Sequence, residues 1–248
     1  MLIINSGEVH ALLGPNGHGK STLLNCLMGH PKYHVDSGEI YLDGKNVLEM
    51  SVDERARAGL FLAMQYPPEI SGVSISDFLK SCLDAKNNKP TSLYQFIKKL
   101  ESNCNDVGFN LDMVHRYVNE GFSGGEKKRS EILQMETLEP SFCFLDEIDS
   151  GLDVDAINLV SQVINKMATP DRGMLIISHY ARLYSLVKPT HAHVIIDGKI
   201  VVSGGYELIE KIDTKGYEWI KDELGIEIKK QEEKKTILLE NCANKVVK

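Results

Sequence analysis

The stretch "LLGPNGHGKSTLLNCLMG", Leu12–Gly29, decides the fold. Within it, the residues from Gly14 to Ser21 fit the pattern G-x-x-x-x-G-K-[ST] without a mismatch. The apolar run Gly7–Gly14 predicts a buried strand, and the residues from Leu23 to Met28 predict a helix. A glycine-rich turn between a strand and a helix is the context in which this pattern forms a phosphate-binding loop.

The composition of this loop suits a polyphosphate. Glycine lets backbone N–H groups approach the anion, and the following helix directs its unpaired N–H groups and positive dipole end at it. We expect the Lys20 ammonium to reach the β and γ phosphates and the Ser21 hydroxyl to bind Mg²⁺. The alternative is a glycine-rich helix start without a ligand. The predicted binding residues are Gly14, Pro15, Asn16, Gly17, His18, Gly19, Lys20, Ser21 and Thr22.

Composition excludes several classes of protein. The chain has 248 residues and a net charge of −7, which argues against nucleic acid or an anionic membrane as the main partner. Its five cysteines form no Cys-x-x-Cys pair, so a reducing compartment is expected. No apolar run approaches the roughly 18 residues that span a bilayer, and we expect no membrane insertion. These features predict a cytoplasmic protein, or a stromal one if a targeting segment has been removed.

Apolar strands alternate with helices along the chain, which predicts an α/β fold with a mostly parallel sheet covered on both faces. Two hairpins are expected, with turns at Asp43-Gly44 and Asp197-Gly198. A helix-like stretch from Pro67 to about Tyr117, with a polar break over residues 85–92, interrupts the alternation. We therefore predict a nucleotide-binding core (1–66 and 131–205), a helical subdomain (67–130) and a helical tail (206–248).

A second strand carries acidic residues at its end. In "FCFLDE", Phe142–Glu147, an apolar run leads directly into Asp146 and Glu147. Strand ends in such sheets face the crevice where ligands bind. We expect Asp146 to hold Mg²⁺ and Glu147 to orient or deprotonate an attacking water. An acidic helix cap after a core strand is the alternative.

A second glycine pair opens a helix in "FSGGEKKR", Phe122–Arg129. One nucleotide does not need two such cradles in one chain. Together with the first loop, this motif resembles the ATP-binding-cassette family of P-loop NTPases, whose signature usually reads LSGGQ. The resemblance implies that Ser123, Gly124, Gly125 and Glu126 cover the ATP bound by another copy, in a transient ATP-dependent homodimer. Glu126 replaces the usual glutamine and leaves the backbone cradle intact.

The resemblance also assigns roles to later motifs. Gln65 matches the Q-loop, Ser150 and Asp153 match the D-loop at the dimer seam, and His179 matches the switch histidine. It implies an ATPase with ATP and Mg²⁺ as cofactors. Its catalytic residues would be Glu147, His179 and Gln65, and its metal ligands would be Ser21, Gln65 and Asp146.

Several stretches narrow the resemblance to the SufC branch, the ATPases of Suf iron–sulfur cluster assembly; they are "MGHPKY", "VDERARAGLFLAMQYP", "FSGGEKKR", "LDEIDSGLD" and "KGYEWI". This implies that ATP drives a shape change in a SufB/SufD-like scaffold. An ATPase subunit of a membrane transporter and a non-hydrolysing regulatory module are the alternatives. A chromosome-type ATPase is disfavoured because no long heptad segment occurs. Glu147 argues against the regulatory module.

Family members place a strand with an adenine-stacking aromatic residue upstream of the loop. Only thirteen residues precede Gly14, so we expect that element to be missing from the given sequence; either the sequence starts late relative to the natural protein, or another group replaces the ring. Stacking contributes about 1–3 kcal/mol per base in nucleic-acid complexes, so we expect adenine affinity to fall about tenfold or more.

Some residues have no role in these motifs. Lys127, Lys128 and Arg129 follow the signature turn and predict a solvated helix face, or a pair between Lys128 and an acidic residue such as Glu147 in the resting monomer.

Four further positions bear on ligand chemistry or packing. His191 and His193 share one face of a strand, but two ligands make a poor metal site. Cys242 suits a free thiol better than a sulfur-handling site. Trp219 is expected to pack the tail helix.

Overall fold

The computed structural model describes residues 1–225, apart from the side chains of residues 221, 222 and 224. The strands are β1 Val9–Leu13, β2 Tyr41–Leu42, β3 Lys45–Asn46, β4 Leu60–Ala63, β5 Ile70–Ser74, β6 Tyr117–Val118, β7 Phe142–Asp146, β8 Gly173–Ile177, β9 His191–Ile196 and β10 Lys199–Gly204. The α-helices are α1 Lys20–Met28, α2 Val52–Arg57, α3 Ile75–Asn87, α4 Leu93–Asp106, α5 Gly124–Leu138, α6 Val154–Met167, α7 Ala181–Val187, α8 Tyr206–Lys215 and α9 Glu218–Leu224. Short 3₁₀ helices lie at Val47–Glu49 and Leu111–His115.

The central sheet has six strands in the order β10-β9-β1-β8-β7-β4. All neighbouring pairs are parallel except β9 and β10, which form an antiparallel hairpin. The sheet is therefore mostly parallel, as the alternation of strands and helices predicted. Its carboxyl-terminal edge gathers the segments that follow β1, β8, β7 and β4.

Both faces of the sheet are covered. Ala11 and Leu13 of β1 belong to a large apolar cluster that also holds side chains of α5 and α6. Leu12, between them, belongs to a smaller cluster with Leu24 of α1. This alternation explains the continuous apolar run in the sequence, because every side chain of a central parallel strand is buried.

Both predicted hairpins are present. Asp43 and Gly44, and likewise Asp197 and Gly198, have positive φ angles of 49°, 78°, 48° and 75°. Two consecutive residues with positive φ are the geometry of a type I′ turn, which explains the Asp-Gly pairs.

The segment between Pro67 and Tyr117 differs in part from the prediction. Helices α3 and α4 are separated over residues 88–92, which confirms the polar break. The segment begins, however, with the strand β5, which pairs antiparallel with β6. Its prediction as helix-like throughout was wrong, because the strand depends on a partner more than forty residues away. Helix α5 runs across residue 130, where a domain boundary was expected.

The tail packs on the core as far as it is described. Trp219 is buried in the large apolar cluster, and the Lys211 ammonium lies 3.6 Å from its ring centroid. Cys242 and residues 226–248 lie outside the described residues. Cys26, Cys82, Cys104 and Cys143 are free thiols. Among the described helices, none combines the length and hydropathy that crossing a bilayer requires.

Candidate functional site

Four adjacent parallel strands deliver the predicted site residues to one edge of the sheet. Gly14 follows β1, Gln65 lies two residues beyond β4, Glu147 follows β7 and His179 lies two residues beyond β8. The carboxyl ends of parallel strands form the ligand crevice in such sheets. The strand order therefore brings together residues that lie up to 165 positions apart in the sequence.

Lys20 lies inside the glycine-rich loop. Its side chain is buried, and its Nζ donates to the carbonyl oxygens of Gly14 at 2.7 Å and Pro15 at 3.0 Å. Burial lowers the pKa of the Lys20 ammonium, and the charges of Glu147 and Asp146 oppose that shift. These bonds fold the loop around the Lys20 amine and hold that amine where a phosphate is expected to bind.

The second hairpin braces the same loop. The backbone N–H of Asp197 donates to His18 Nδ1 at 3.1 Å, and the N–H of Gly198 donates to the His18 carbonyl at 3.0 Å. A Cβ on Gly14 would lie 2.4 Å from the carbonyl oxygen of Ile195, so only glycine fits there. The His18 imidazole thus contacts the hairpin turn. Any contact with an anion would fall to its backbone.

Gln65, Glu147 and His179 meet at the Glu147 carboxylate. Gln65 Nε2 donates to Glu147 Oε2 at 2.7 Å, and His179 Nε2 lies 3.1 Å from Glu147 Oε1. Since a carboxylate only accepts, His179 carries its proton on Nε2. Glu147 itself has a φ of 49°, a left-handed conformation that is rare outside glycine and clusters at functional sites.

Asp146 and Ser21 fit a hard divalent cation. The Asp146 side chain is buried, and its Oδ1 has no hydrogen-bond partner in the described part of the chain. Burial raises the pKa of this carboxyl, and a hydrogen bond from Ser21 opposes the shift. An unpartnered buried carboxylate oxygen is costly unless a ligand satisfies it. Carboxylate and hydroxyl oxygens are the donors that Mg²⁺ prefers.

The signature turn forms a separate surface. Ser123 Oγ accepts from the N–H of Glu126 at 3.3 Å, and Glu126 Oε2 accepts from the N–H of Ser123 at 2.7 Å. This capping box starts α5 and gives Glu126 a structural use. Ser123 and Gly124 are exposed, and no hydrogen bond or ion pair joins them to the glycine-rich loop within residues 1–225.

Comparisons with known proteins show the family to which the chain belongs. The sequence profile of the family described as "ABC transporter" matches residues 1–150. The chain belongs to this family of ABC ATPases. Such a cassette is an ATP-binding module, and the glycine-rich loop is its P-loop.

Curated relatives are similar over most of their length. The chain is 56% identical to "Vegetative protein 296" of Bacillus subtilis over 228 residues, which cover 91% of this chain and 87% of that protein. It is 50% identical to a probable ABC transporter ATP-binding protein of Streptococcus pyogenes, over 93% of this chain and 91% of that protein. It is 46% identical to a probable ATP-dependent transporter of Cyanophora paradoxa, over 89% and 87% respectively.

Solved structures share the fold. One, described as a dimeric post-hydrolysis state of an ATP-binding cassette bound to ADP and Pi, matches with a TM-score of 0.72 at 20% identity. That match covers 83% of this chain and 88% of the other. The ATP-binding subunit of an ABC transporter matches with a TM-score of 0.74 at 20% identity, over 91% of both chains. The ABC ATPase fold is thereby established.

The segment predicted as the D-loop, residues 150–153, lies between the end of β7 and the start of α6. The N–H of Ser150 donates to the Glu147 carbonyl at 3.2 Å, and Asp153 Oδ1 caps α6 through the N–H of Ala156 at 2.8 Å. Beside them, the Ser178 hydroxyl donates to the buried carboxylate of Asp149. Asp149 and Ser178 were not predicted from the sequence. Both follow neighbouring apolar strands, and that position was the available signal.

Helix α5 holds the backbone of the Q-loop. Lys128 Nζ donates to the carbonyls of Met64 at 2.7 Å and Gln65 at 2.9 Å. Glu131 Oε1 accepts from the N–H of Met64 at 2.8 Å. Lys128 is buried, so its prediction as part of a solvated face was wrong. Its predicted pairing with Glu147 was also wrong, because the partners of that carboxylate are Gln65 and His179.

Proposed function

We propose that this protein is a Mg²⁺-dependent ATPase that dimerises around ATP and drives a conformational change in a partner. The observation that carries the proposal is the pair of hydrogen bonds that Gln65 and His179 form with the two carboxylate oxygens of Glu147. That arrangement presents a carboxylate at the sheet edge where the P-loop also lies. A base fixed beside a phosphate-binding loop suits hydrolysis better than binding alone.

The reaction follows from these positions. Glu147 accepts a proton from the attacking water, and general-base action of this kind contributes about 10²–10⁴ in rate. Gln65 orients that water, while His179 donates a hydrogen bond to the γ-phosphate. Lys20 and the P-loop N–H groups bind the phosphate oxygens and stabilise the charge that develops on them. Ser21 and Asp146, with Gln65 nearby, would hold a Mg²⁺ ion, which would supply charge neutralisation on the phosphate oxygens.

Dimerisation accounts for the second cradle. The start of α5 exposes Ser123 and Gly124, and within residues 1–225 no hydrogen bond or ion pair joins them to the P-loop of the same chain. A helix N-terminus of this kind attracts an anion, and the γ-phosphate on a second copy is the anion of suitable chemistry. Loss of that phosphate on hydrolysis removes the differential contact and lets the dimer open. The dimeric cassette among the similar structures supports this arrangement.

The partner is inferred from the resemblance to SufC, which implies a SufB/SufD-like scaffold for iron–sulfur clusters in the cytoplasm or an organelle stroma. Exposed apolar side chains adjoin the Q-loop and line the predicted helical subdomain, residues 67–130. Tyr66 is 83% exposed, and Leu93 and Tyr94 are 60% and 75% exposed. Exposed aromatic and aliphatic groups of this kind suit a protein interface.

The experiment compares the wild-type chain with Glu147→Gln. We expect phosphate release from ATP by the wild type and a loss of about 10²-fold or more in the variant. The variant should still bind ATP and accumulate as a dimer in light scattering coupled to gel filtration. Equal phosphate release by both proteins, or no release by either, would overturn the proposed hydrolysis.

A membrane transporter is the second candidate partner. The names of the relatives from Streptococcus pyogenes and Cyanophora paradoxa favour it, because both describe probable transporter components. Affinity purification of the tagged chain from its natural source, in mild detergent, separates the two candidates. Recovery of a scaffold that carries iron and sulfide supports the SufC-like role. Recovery of a protein with membrane-spanning helices instead supports the transporter.

A further inference from the structure

A cluster of metal-ligating side chains lies at the start of β1, away from the P-loop at its other end. One ligand atom from each of Glu8, His10 and His191 lies within 4.8 Å of the others. The parallel pairing of β1 with β9 sets His10 opposite His191, and Glu8 Oε2 lies 2.9 Å from His10 Nε2. We propose that Glu8, His10 and His191 form a binding site for one divalent transition-metal ion of the Zn²⁺ class.

The hydrogen bonds around His191 leave it ready to coordinate. The Thr190 hydroxyl has a single proton, which it donates to the Val9 carbonyl at 2.9 Å. Its oxygen lies 3.0 Å from His191 Nδ1, so that nitrogen carries the proton and donates. The lone pair of His191 is therefore on Nε2. The hydrogen bond from His191 Nδ1 to the Thr190 hydroxyl therefore fixes the His191 tautomer. Metal-bound histidines usually have such a hydrogen bond to a group that is not itself a ligand.

His10 has a comparable outer partner. Its Nδ1 lies 2.8 Å from His193 Nε2, and His193 Nδ1 lies 2.7 Å from Ser203 Oγ. With a metal ion on His10 Nε2, His10 donates to His193 and His193 donates to Ser203. Without the ion, His10 donates to the Glu8 carboxylate and both imidazoles take the other tautomer. Neither ring changes its charge, so the chain of bonds accommodates both states.

The remaining geometry suits a small adjustment on binding. Ligand atoms at about 2.0–2.2 Å from Zn²⁺ lie about 3.3 Å from one another, so the Glu8–His10 pair at 2.9 Å must open slightly and His191 must approach both. His10 is buried, whereas His191 is partly exposed and stacks on the His10 ring at 4.5 Å between centroids. The larger movement therefore falls to His191. Glu8 also accepts from the N–H of Asn5 at 2.7 Å and from Asn5 Nδ2 at 3.0 Å, which orients its carboxylate.

The donor set selects the class of ion. Two imidazoles and one carboxylate bind Zn²⁺ and its first-row neighbours, whereas Mg²⁺ prefers oxygen donors only. The site also differs from the proposed Mg²⁺ site in its residues and its place in the fold. Its occupation therefore does not depend on whether the chain hydrolyses ATP.

The test titrates Zn²⁺ into the full chain by calorimetry, with saturating ADP and excess Mg²⁺ present to occupy the nucleotide site. We expect one equivalent to bind the wild type. The side chains of Glu8 and His191 lie toward solvent, so Glu8→Gln and His191→Ala should fold, and each should weaken binding about tenfold or more. His34→Ala is the matched control, because His34 is exposed and lies outside the cluster; its affinity should equal that of the wild type.

Co²⁺ absorption distinguishes this site from the free thiols. We expect visible d–d bands without a thiolate-to-metal charge-transfer band, and we expect His191→Ala to remove them. Unchanged Zn²⁺ affinity in His191→Ala, or a thiolate band in the wild type at one equivalent, would overturn the proposal. Zn²⁺ should also raise the melting temperature of the wild type and of His34→Ala but not of His191→Ala.

Discussion

The N–H of Gly14, the first residue of the P-loop, donates to the hydroxyl of Tyr217 at 2.9 Å. Tyr217 lies between α8 and α9, 203 positions along the chain, and burial raises the pKa of its phenol. The segment between α8 and α9 thus fixes the junction between β1 and the P-loop. No local pattern in the sequence predicts this contact of Tyr217.

We expect Tyr217→Phe to weaken both the fold and ATP binding. A partly buried N–H that loses its acceptor costs about 1–3 kcal/mol, which corresponds to an affinity loss of up to about 100-fold if the loop is displaced. Urea unfolding and ATP titration measure the two effects. Tyr94→Phe, at an exposed tyrosine of α4, is the control and should change neither. Wild-type affinity in Tyr217→Phe would show that the bond does not position the loop.

We expect Gly124→Ala to separate stability from dimerisation. No atom lies within 4 Å of a Cβ at Gly124, and alanine favours helix more than glycine does. The melting temperature and the affinity of the monomer for ATP should therefore be unchanged or slightly higher. In the proposed dimer the added methyl group meets the partner's nucleotide, so ATP-dependent dimerisation and hydrolysis should fall together. A variant that dimerises like the wild type would contradict the proposed use of this turn.

Lys128→Met should reduce hydrolysis more than ATP affinity. The substitution removes the donors to the Met64 and Gln65 carbonyls and frees the backbone that aims Gln65 at Glu147. We expect kcat to fall about tenfold while the dissociation constant for ATP changes little. Lys127→Met is the matched control, because within residues 1–225 the partner of the Lys127 side chain is Glu69, in a surface pair of a kind that contributes about 0.2–1 kcal/mol. The same loss of kcat in both variants would refute the positioning role.

Glu131 should make stability fall as the pH rises. Burial raises the pKa of its carboxyl from 4.5 to about 8 in the folded chain, against the attraction of Lys128. Between these values the unfolded chain loses the proton and the folded chain keeps it, so unfolding becomes easier with increasing pH. The neutral Glu131 carboxyl therefore makes its full contribution to the free energy of unfolding below about pH 4.5, and this contribution is lost by about pH 8.

Glu131→Gln removes this titration while keeping an acceptor for the Met64 N–H. We expect the variant to gain stability relative to the wild type as the pH is raised from 5 to 8, as measured by thermal unfolding without nucleotide. Parallel curves for the two proteins over that range would mean that Glu131 ionises normally in the fold.

The local motifs were predictable because each contains its own structural cause. The strand–loop–helix of the P-loop, the two Asp-Gly hairpins and the helix that opens after Ser123 depend on residues a few positions apart. Periodicity and turn chemistry therefore located them correctly. The strand β5 was missed for the opposite reason, since it exists only by pairing with β6.

The sequence by itself determined the P-loop, the acidic strand end and the mostly parallel sheet, because glycine geometry and apolar periodicity act over short ranges. Tertiary structure alone decided which side chains meet. The order of β1, β8, β7 and β4 placed Gln65 and His179 on Glu147, and it turned Lys128 toward the Q-loop carbonyls. The pairing of β1 with β9 likewise placed His10 and Glu8 beside His191, which alone could not form a metal site. Such contacts depend on strand order and register, which join distant segments and leave no trace in the local pattern.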